Sequence, residues 1–292
     1  MKKIVMATLL VATTGLASAQ VAMSGKVSEW VDNSKVGATR TTQMAAEPTS
    51  NIAVNVSEAL AGGMVARATV ETSLSGNSIS GSDTRLGDRQ GTVGIATKMF
   101  SVDFGRNVHS HFLAITDNDV FGTLYGSVAG DVHNLRALRL GDAVFANVKL
   151  VKDWSMSVER TQAAGTDATV VALNGKFAGF TGSMARFEQG KETSTVFGVS
   201  TKFMGTNFSY THSDDQGAVK SKGDLFGVSR GFGAMTVKAS YGKTNSDVKA
   251  YALGADYALS KRTEVGFAYR NVDRKGTTMD VAQVGVGVTH RF

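Results

Sequence analysis

Residues 281–292 read VAQVGVGVTHRF, and their alternation decides the fold class. Val284, Val286 and Val288 fall on one face of an extended chain, while Gly285, Gly287 and Thr289 fall on the other, because successive strand side chains point to opposite sides. One face is therefore apolar and the other small or polar. The chain ends on Phe292, an aromatic that suits a strand whose apolar face meets lipid and whose end sits at the membrane boundary.

The same period of two recurs through the chain. NIAVNV at 51–56, FGVSTK at 197–202, NFSYTH at 207–212, AMTVKASYG at 234–242, AYALGADYAL at 250–259 and EVGFAYR at 264–270 all alternate. Sixteen such runs are expected, at 21–30, 50–57, 64–73, 89–97, 100–107, 134–141, 145–158, 168–175, 178–187, 193–202, 205–212, 222–230, 234–243, 248–258, 263–272 and 279–291. FANVKLVKDWSMSVER reads either as one long strand or as two strands broken at Lys152-Asp153, with VKDWS resembling the turn LSKRT at 259–263. Either reading leaves sixteen strands, but a break lengthens the preceding loop and changes which residues near Arg139 and Lys149 face inward.

Composition supports a protein that is nearly all sheet. There are 33 glycines but one proline, Pro48, in a stretch read as loop, and proline would remove a ladder hydrogen bond elsewhere. Cysteine is absent, so no disulfide staples the chain. The opening MKKIVMATLLVATTGLASA has Lys2 and Lys3, an apolar run and a small-residue ending, the pattern of an export signal cleaved after Ala19. Residues 20–292 then form a single transmembrane β-barrel domain. Loss of the two lysines lowers the net charge from +6 to about +4, too mild an excess for a nucleic-acid-binding signature. No later window approaches 18 consecutive apolar residues, which excludes transmembrane helices and leaves a barrel as the structure that satisfies every backbone group in lipid.

Connections alternate in length, with longer segments at 31–49, 74–88, 108–133, 159–167, 188–192, 213–221, 244–247 and 273–277, and tight turns between. Short turns at one end and loops at the other are the rhythm of an antiparallel outer-membrane barrel, and a soluble β-sandwich has no reason to keep it. Parity separates the chemistry as well. In 263–272, Val265, Phe267 and Tyr269 oppose Glu264, Gly266, Ala268 and Arg270, so the aromatic face looks to lipid and the small polar face lines a wet interior.

SNIAVNVSEALAGGMVARATVE at 50–71, DRQGTVGIATKMFSVDFGRN at 88–107 and the ending VGVGVTHRF resemble the general porins of Gram-negative outer membranes, in particular the Neisseria and Bordetella type of betaproteobacteria. The likeness includes Ser57-Glu58-Ala59-Leu60 with Gly62-Gly63 at a turn, Arg89-Gln90 opening a strand and Gly105-Arg106 closing the next. Ala59 replaces the customary Asp, and the outer loops look short. The resemblance implies a homotrimer of sixteen-stranded antiparallel barrels that pass small hydrophilic solutes and ions, with the third outer loop folded inward. An independent feature agrees: connection 108–133 is the longest and carries Phe112, Leu113, Ile115, Val120, Phe121 and Leu124, a composition that must pack against something.

A channel works through its width and the charges along its water path. Parity places Lys26, Arg67, Glu71, Arg139, Lys149, Lys202, Lys238, Asp256, Glu264 and Arg270 inward, with basic residues in the majority. Asp117, Asp119 and Asp131 join them on the loop by analogy with the family. Arg67 and Arg139 adjoin the loop and are the foremost constriction candidates. Arg106 shares the parity of Val102 and Phe104, so only a bulge would turn it inward. Lys26 and Lys238 can equally be solvated lining, and Asp117 and Asp119 can cap a turn in TDND. A weak anion preference is expected, with no cofactor and no nucleic-acid partner. His109-Ser110-His111 raises the question of an enzyme, but no third metal ligand or oriented base accompanies it, and no HExxH motif occurs. A substrate-specific channel, or a surface barrel with a binding role, is the alternative; only Trp30 and Phe187 are large aromatics placed inward for such a track.

Overall fold

A computed structural model describes residues 19–47, 49–74, 86–161, 167–218, 220–276 and 280–292. The export signal therefore falls almost wholly outside the described residues. Seventeen strand segments form one antiparallel sheet: β1 (Gln20–Val36), β2 (Thr39–Ala46), β3 (Asn51–Ala59), β4 (Val65–Ser73), β5 (Gln90–Ala96), β6 (Phe100–Val108), β7 (Arg139–Val151), β8 (Trp154–Thr161), β9 (Ala168–Phe177), β10 (Phe180–Gln189), β11 (Glu192–Phe203), β12 (Thr206–Gln216), β13 (Ser221–Phe232), β14 (Met235–Thr244), β15 (Val248–Ala258), β16 (Thr263–Arg274) and β17 (Val281–Arg291). Sequence neighbours pair except β2 with β3, and β1 pairs with β17 from Lys26↔Arg291 to Val36↔Val281, which closes the ring.

The wall has sixteen strands, because β2 and β3 share one place in it. The upper part of β1 pairs with β2, from Glu29↔Ala46 to Val36↔Thr39, and the lower part pairs with β3, from Gln20↔Ser57 to Lys26↔Asn51. This corrects the expected loop at 31–49. The chain continues as strand, turns at Gly37 (φ 57°) and returns, with Asn33 Nδ2 donating to Thr42 Oγ1 at 2.7 Å. Polar residues hid it: where both faces of a hairpin meet water, strand pairing proceeds without hydrophobic alternation.

A second correction concerns 134–141 and 145–158. Two strands do form here, but they meet at the turn Lys152-Asp153, where Asp153 adopts φ 65°. No turn falls at 141–144. Instead the β6–β7 register shifts between Gly105 and Asn107, a bulge that keeps the strand continuous. The third long connection consequently spans residues 109–138.

Barrel faces follow the alternation. Val284, Val286 and Val288 are exposed on the outside, as are Phe104, Phe197, Phe226 and Phe267, while Gly285, Gly287 and Thr289 are buried on the inside. Phe292 joins the outer face, bonded through its backbone to Gly25 with its ring lying over that glycine.

Candidate pore and its inward loop

The 109–138 connection folds into the barrel. Helix α1 (Ser110–Thr116) packs on β9, β10 and β11, and α2 (Ala129–Val132) on β13, β14 and β15. Its apolar residues supply the driving force: Ala114, Ile115, Phe121, Val128, Ala129 and Val132 are buried against Ala172, Ala185, Val196, Leu225, Ala250 and Ala252 of the wall. The barrel thus has a core on one side of its interior. The described inner faces of β3 and β4, with Asn51, Asn55, Arg67, Thr69 and Glu71 partly exposed, stay uncovered by either helix.

Polar side chains fix the position of the loop. At its start, Ser110 N–H donates to both carboxylate oxygens of Glu159 at 3.0 and 3.1 Å, and Asn118 Nδ2 donates to Ser183 Oγ at 3.0 Å. At its tip, Asp119 accepts from Phe121 N, Thr123 N and Ser127 Oγ, which holds the turn. Tyr125 N–H donates to Glu47 at 3.1 Å, and the Tyr125 ring stacks on Trp30 with centroids 4.2 Å apart. At its end, Asp131 bridges Arg274 at 2.6 Å and Arg270 at 3.1 Å, while Arg136 reaches Thr193 O at 2.9 Å, Asp215 at 3.1 Å and Glu192 at 3.3 Å.

Inward glycines form the seat. A Cβ on Gly198 would stand 2.2 Å from Asn118 Nδ2; on Gly223, 2.2 Å from Val132 O; on Gly254, 2.7 Å from Phe121. Gly285 lies under Tyr125, and Gly287 with its cross-strand partner Gly266 lies under the Trp30 indole. The glycines of VAQVGVGVTHRF therefore make room for an aromatic stack that carries the loop, instead of lining water. Glycine inside a strand signals close approach of another group, and that signal was available in the sequence. What approaches was not.

The histidines of His109-Ser110-His111 are structural. His109 Nδ1 accepts from Phe112 N–H at 3.2 Å, so its Nε2 carries the proton donated to the Ala137 carbonyl. His111 Nε2 meets Ser194 Oγ at 2.7 Å, and His133 Nδ1 meets Ser213 Oγ at 2.8 Å. Burial lowers His109 to about 4 and His133 to about 4; burial and then the neighbouring His109, Arg136 and His133 lower His111 to about 3. All three are neutral at pH 7. Among the described residues no group of three or more His, Cys, Asp or Glu is arranged to hold a metal.

The sequence-derived candidates divide into paired and free. Lys26 Nζ lies 2.7 Å from Glu47, and Lys238 Nζ lies 2.6 Å from Asp256 and 5.6 Å from the Phe121 ring centroid. Arg67 grips Asp103 with two bonds, one at 2.7 Å, yet its side chain remains 41 % exposed. Arg106 is exposed beside the bulge and donates to the Asp88 carbonyl at 2.7 Å. Arg139 is half-buried within the electrostatic reach of Arg89 and Arg106 and of Glu71 and Asp88, but among the described residues no carboxylate or carbonyl hydrogen-bonds to it; its Nε is buried without a partner. Lys149 is exposed just before the Lys152-Asp153 turn. Asp117 is exposed at the end of α1, where desolvation by the enclosing wall raises its carboxyl above the ordinary value. Asp119 is buried in its turn. Sequence reading passed over Glu47, Arg136 and Glu159, whose roles depend on contacts between distant segments. Trp30 and Phe187 do point inward, but both are buried beneath the loop and offer no exposed aromatic track.

A closed sixteen-stranded barrel with an apolar outer face, a polar inner face and one loop folded inside is an outer-membrane channel. The chain belongs to the Gram-negative porins, whose family model matches residues 7–292. Solved structures share the fold. An anion-selective porin from Comamonas acidovorans superposes with a TM-score of 0.79 at 18% identity, over 94% of this chain and 100% of that one. A trimer form of OmpT, an outer membrane protein of Vibrio cholerae, gives 0.69 at 11% identity over 94% and 100%. A triple mutant of the Rhodopseudomonas blastica porin gives 0.71 at 14% identity over 94% and 100%. No curated protein matches the chain.

Proposed function

We propose that this porin is a general diffusion channel for small hydrophilic solutes and ions with a weak preference for anions, and that it catalyses no reaction. The observation that carries the reading is the unequal pairing of interior charge. Loop acids Asp119 and Asp131 are engaged, whereas Arg139, with Glu71 and Asp88 only within electrostatic reach, has no acid bonded to it among the described residues and Arg67 keeps much of its side chain in water. Asp117 is the loop acid left exposed, so a field runs from the arginine-bearing wall toward the loop, with positive charge in excess. Arg67, Arg139, Arg106 and Asp117 are assigned to the constriction, and Lys26, Lys149 and Lys238 to the lining. The Comamonas relative's description as anion-selective supports the same direction.

Homotrimeric assembly has two supports. One is the trimer form of the Vibrio relative. The other is the outer surface: β6 and β8 to β16 carry outward aromatics such as Phe104, Phe180, Phe208, Tyr241, Tyr257 and Phe267, but the outward residues of β1 to β5 and β17 are aliphatic or polar, as at Val31, Val54, Val93 and Val286, with Phe292 just past β17 the one aromatic there among the described residues. Aromatic belts mark contact with lipid headgroups, so a sector without one suits contact between copies. Export is assigned to the leading segment, with cleavage after Ala19.

The reversal potential across a planar bilayer under a salt gradient tests the selectivity. The expected sign is that of anion preference, weakened by Arg67→Gln or Arg139→Gln. Cation preference in the native channel would overturn the charge assignment and leave the porin fold intact.

A further inference from the structure

The inward loop is fastened by neutral histidines, at one point across its own base and at two points to the barrel. His109 closes the N-terminus of α1 onto the Ala137 carbonyl, His111 reaches β11 at Ser194, and His133 reaches β12 at Ser213. These are three of the five histidines in the chain, and all are buried. They lie near one another: the His109 and His111 rings are 5.8 Å apart, both flank Phe187, and the Arg136 guanidinium stands 5.7 Å from the centroid of that same ring. His111 Nδ1 and His133 Nε2 are buried without hydrogen-bond partners among the described residues, so neither imidazolium would find an acceptor for its second proton.

Charged groups that face the cluster offset it only in part, Asp224 acting on His133. Glu159 of β8 is spent on Ser110, and Glu192 of β11 with Asp215 of β12 on Arg136. Asp131 of α2 is held by Arg270 and Arg274 of β16. His212 and Asp224 pair with each other on β12 and β13. From β9 and β10 the neighbours are Ala168, Val170, Ala172, Ser183, Ala185 and Phe187, none of them charged.

We propose that these histidines form an acid-operated latch: protonation expels them from the wall and releases the inward loop, so that the channel's narrow region is ordered at neutral pH and mobile in acid. The proposal rests on the channel reading only in that the loop borders the water path. Its sense follows from linkage. Each histidine binds a proton more readily in the released loop, near the ordinary value of 6.5, than in the docked loop, so docking is complete above that value and weakens as pH falls through the interval below it. Between pH 7 and pH 5 each contributes on the order of a tenfold loss in the docking equilibrium, and because they act on one another the joint loss is roughly a hundredfold or more.

Hydrogen exchange of the full chain in detergent micelles, corrected for intrinsic rates, reads the latch. Protection of 109–138 is expected to fall roughly a hundredfold or more from pH 7 to pH 5, with β14 and β15 unchanged. His109→Asn, His111→Gln and His133→Asn together keep hydrogen-bonding groups but cannot titrate, and should remove the pH response. An independent variant uses the cysteine-free background: Val132→Cys with Gly242→Cys, where Val132 Cγ2 stands 2.5 Å from the Cβ position of Gly242, locks α2 to β14 when oxidised and should restore acid protection reversibly with reductant. Loop protection that is constant down to pH 4.5, or that falls equally in the triple variant, would overturn the latch. Neither result bears on whether the protein conducts, which bilayer current at pH 7 decides separately.

Discussion

Replacing Gly287 by alanine adds one methyl group in a place that the structure has filled. The new Cβ would stand 2.3 Å from Trp30 Cδ2, 2.5 Å from Cγ and 2.6 Å from Cε2. Carbon atoms settle at about 3.5 Å or more, so the indole must retreat by about 1 Å. It has nowhere to go. Tyr125 stacks on it at 4.2 Å, a Cβ position at Gly266 already lies 2.6 Å from its far edge, and its Nε1 donates to Ser28 Oγ at 3.1 Å. Overpacking costs about 1–3 kcal/mol, and loss of the aromatic pair about 0.5–1.5 kcal/mol more, so a destabilisation of roughly 2–4 kcal/mol is expected. Because Tyr125 belongs to the loop, the same change should loosen the loop. Gly231→Ala is the control: it lies on the inner face of β13, and its nearest neighbours stand 4.0 Å away, so it should be neutral or mildly stabilising. Urea unfolding in micelles measures the first effect, and limited proteolysis within 109–138 the second. If Gly287→Ala matches Gly231→Ala in both assays, the argument that inward glycines seat the loop is wrong.

Asp131→Asn should weaken the second half of the loop by about 1–3 kcal/mol, because one buried carboxylate serves two guanidiniums of β16. Faster proteolysis near α2 and a shift of reversal potential toward anions are the readouts; unchanged selectivity would show that the charge of Asp131 is not felt along the water path. Asp153, at φ 65° in the β7–β8 turn, should accept glycine with no loss of stability, whereas valine should cost about 1–3 kcal/mol by forcing a β-branched residue into left-handed backbone. Equal refolding yields and midpoints for the two variants would remove the turn from its assigned place.

Strand period, strand number and the two faces of the wall were legible in the chain, because each is set by covalent geometry within a few residues. Val284, Val286 and Val288 need no partner to share a side, and lipid outside a closed sheet then fixes which side is apolar. The hairpin at 39–46 escaped because its residues are wet on both faces. Placement past Gly105 escaped because a bulge breaks the count on which parity depends. Apolar residues in 109–138 announced that the loop must pack, yet where it packs depends on closure of the ring, which brings Trp30, Gly287 and Tyr125 together from both ends of the chain and its middle. Charge followed the same division. That basic residues outnumber acids inside was readable by parity, but Arg67 with Asp103, Lys26 with Glu47, and Arg139 with no acid bonded to it among the described residues are matters of neighbours across strands and loops. Alternation is a local property that the sequence carries by itself; which charge is neutralised, and which glycine is filled, depends on distances between segments that only the closed barrel brings together.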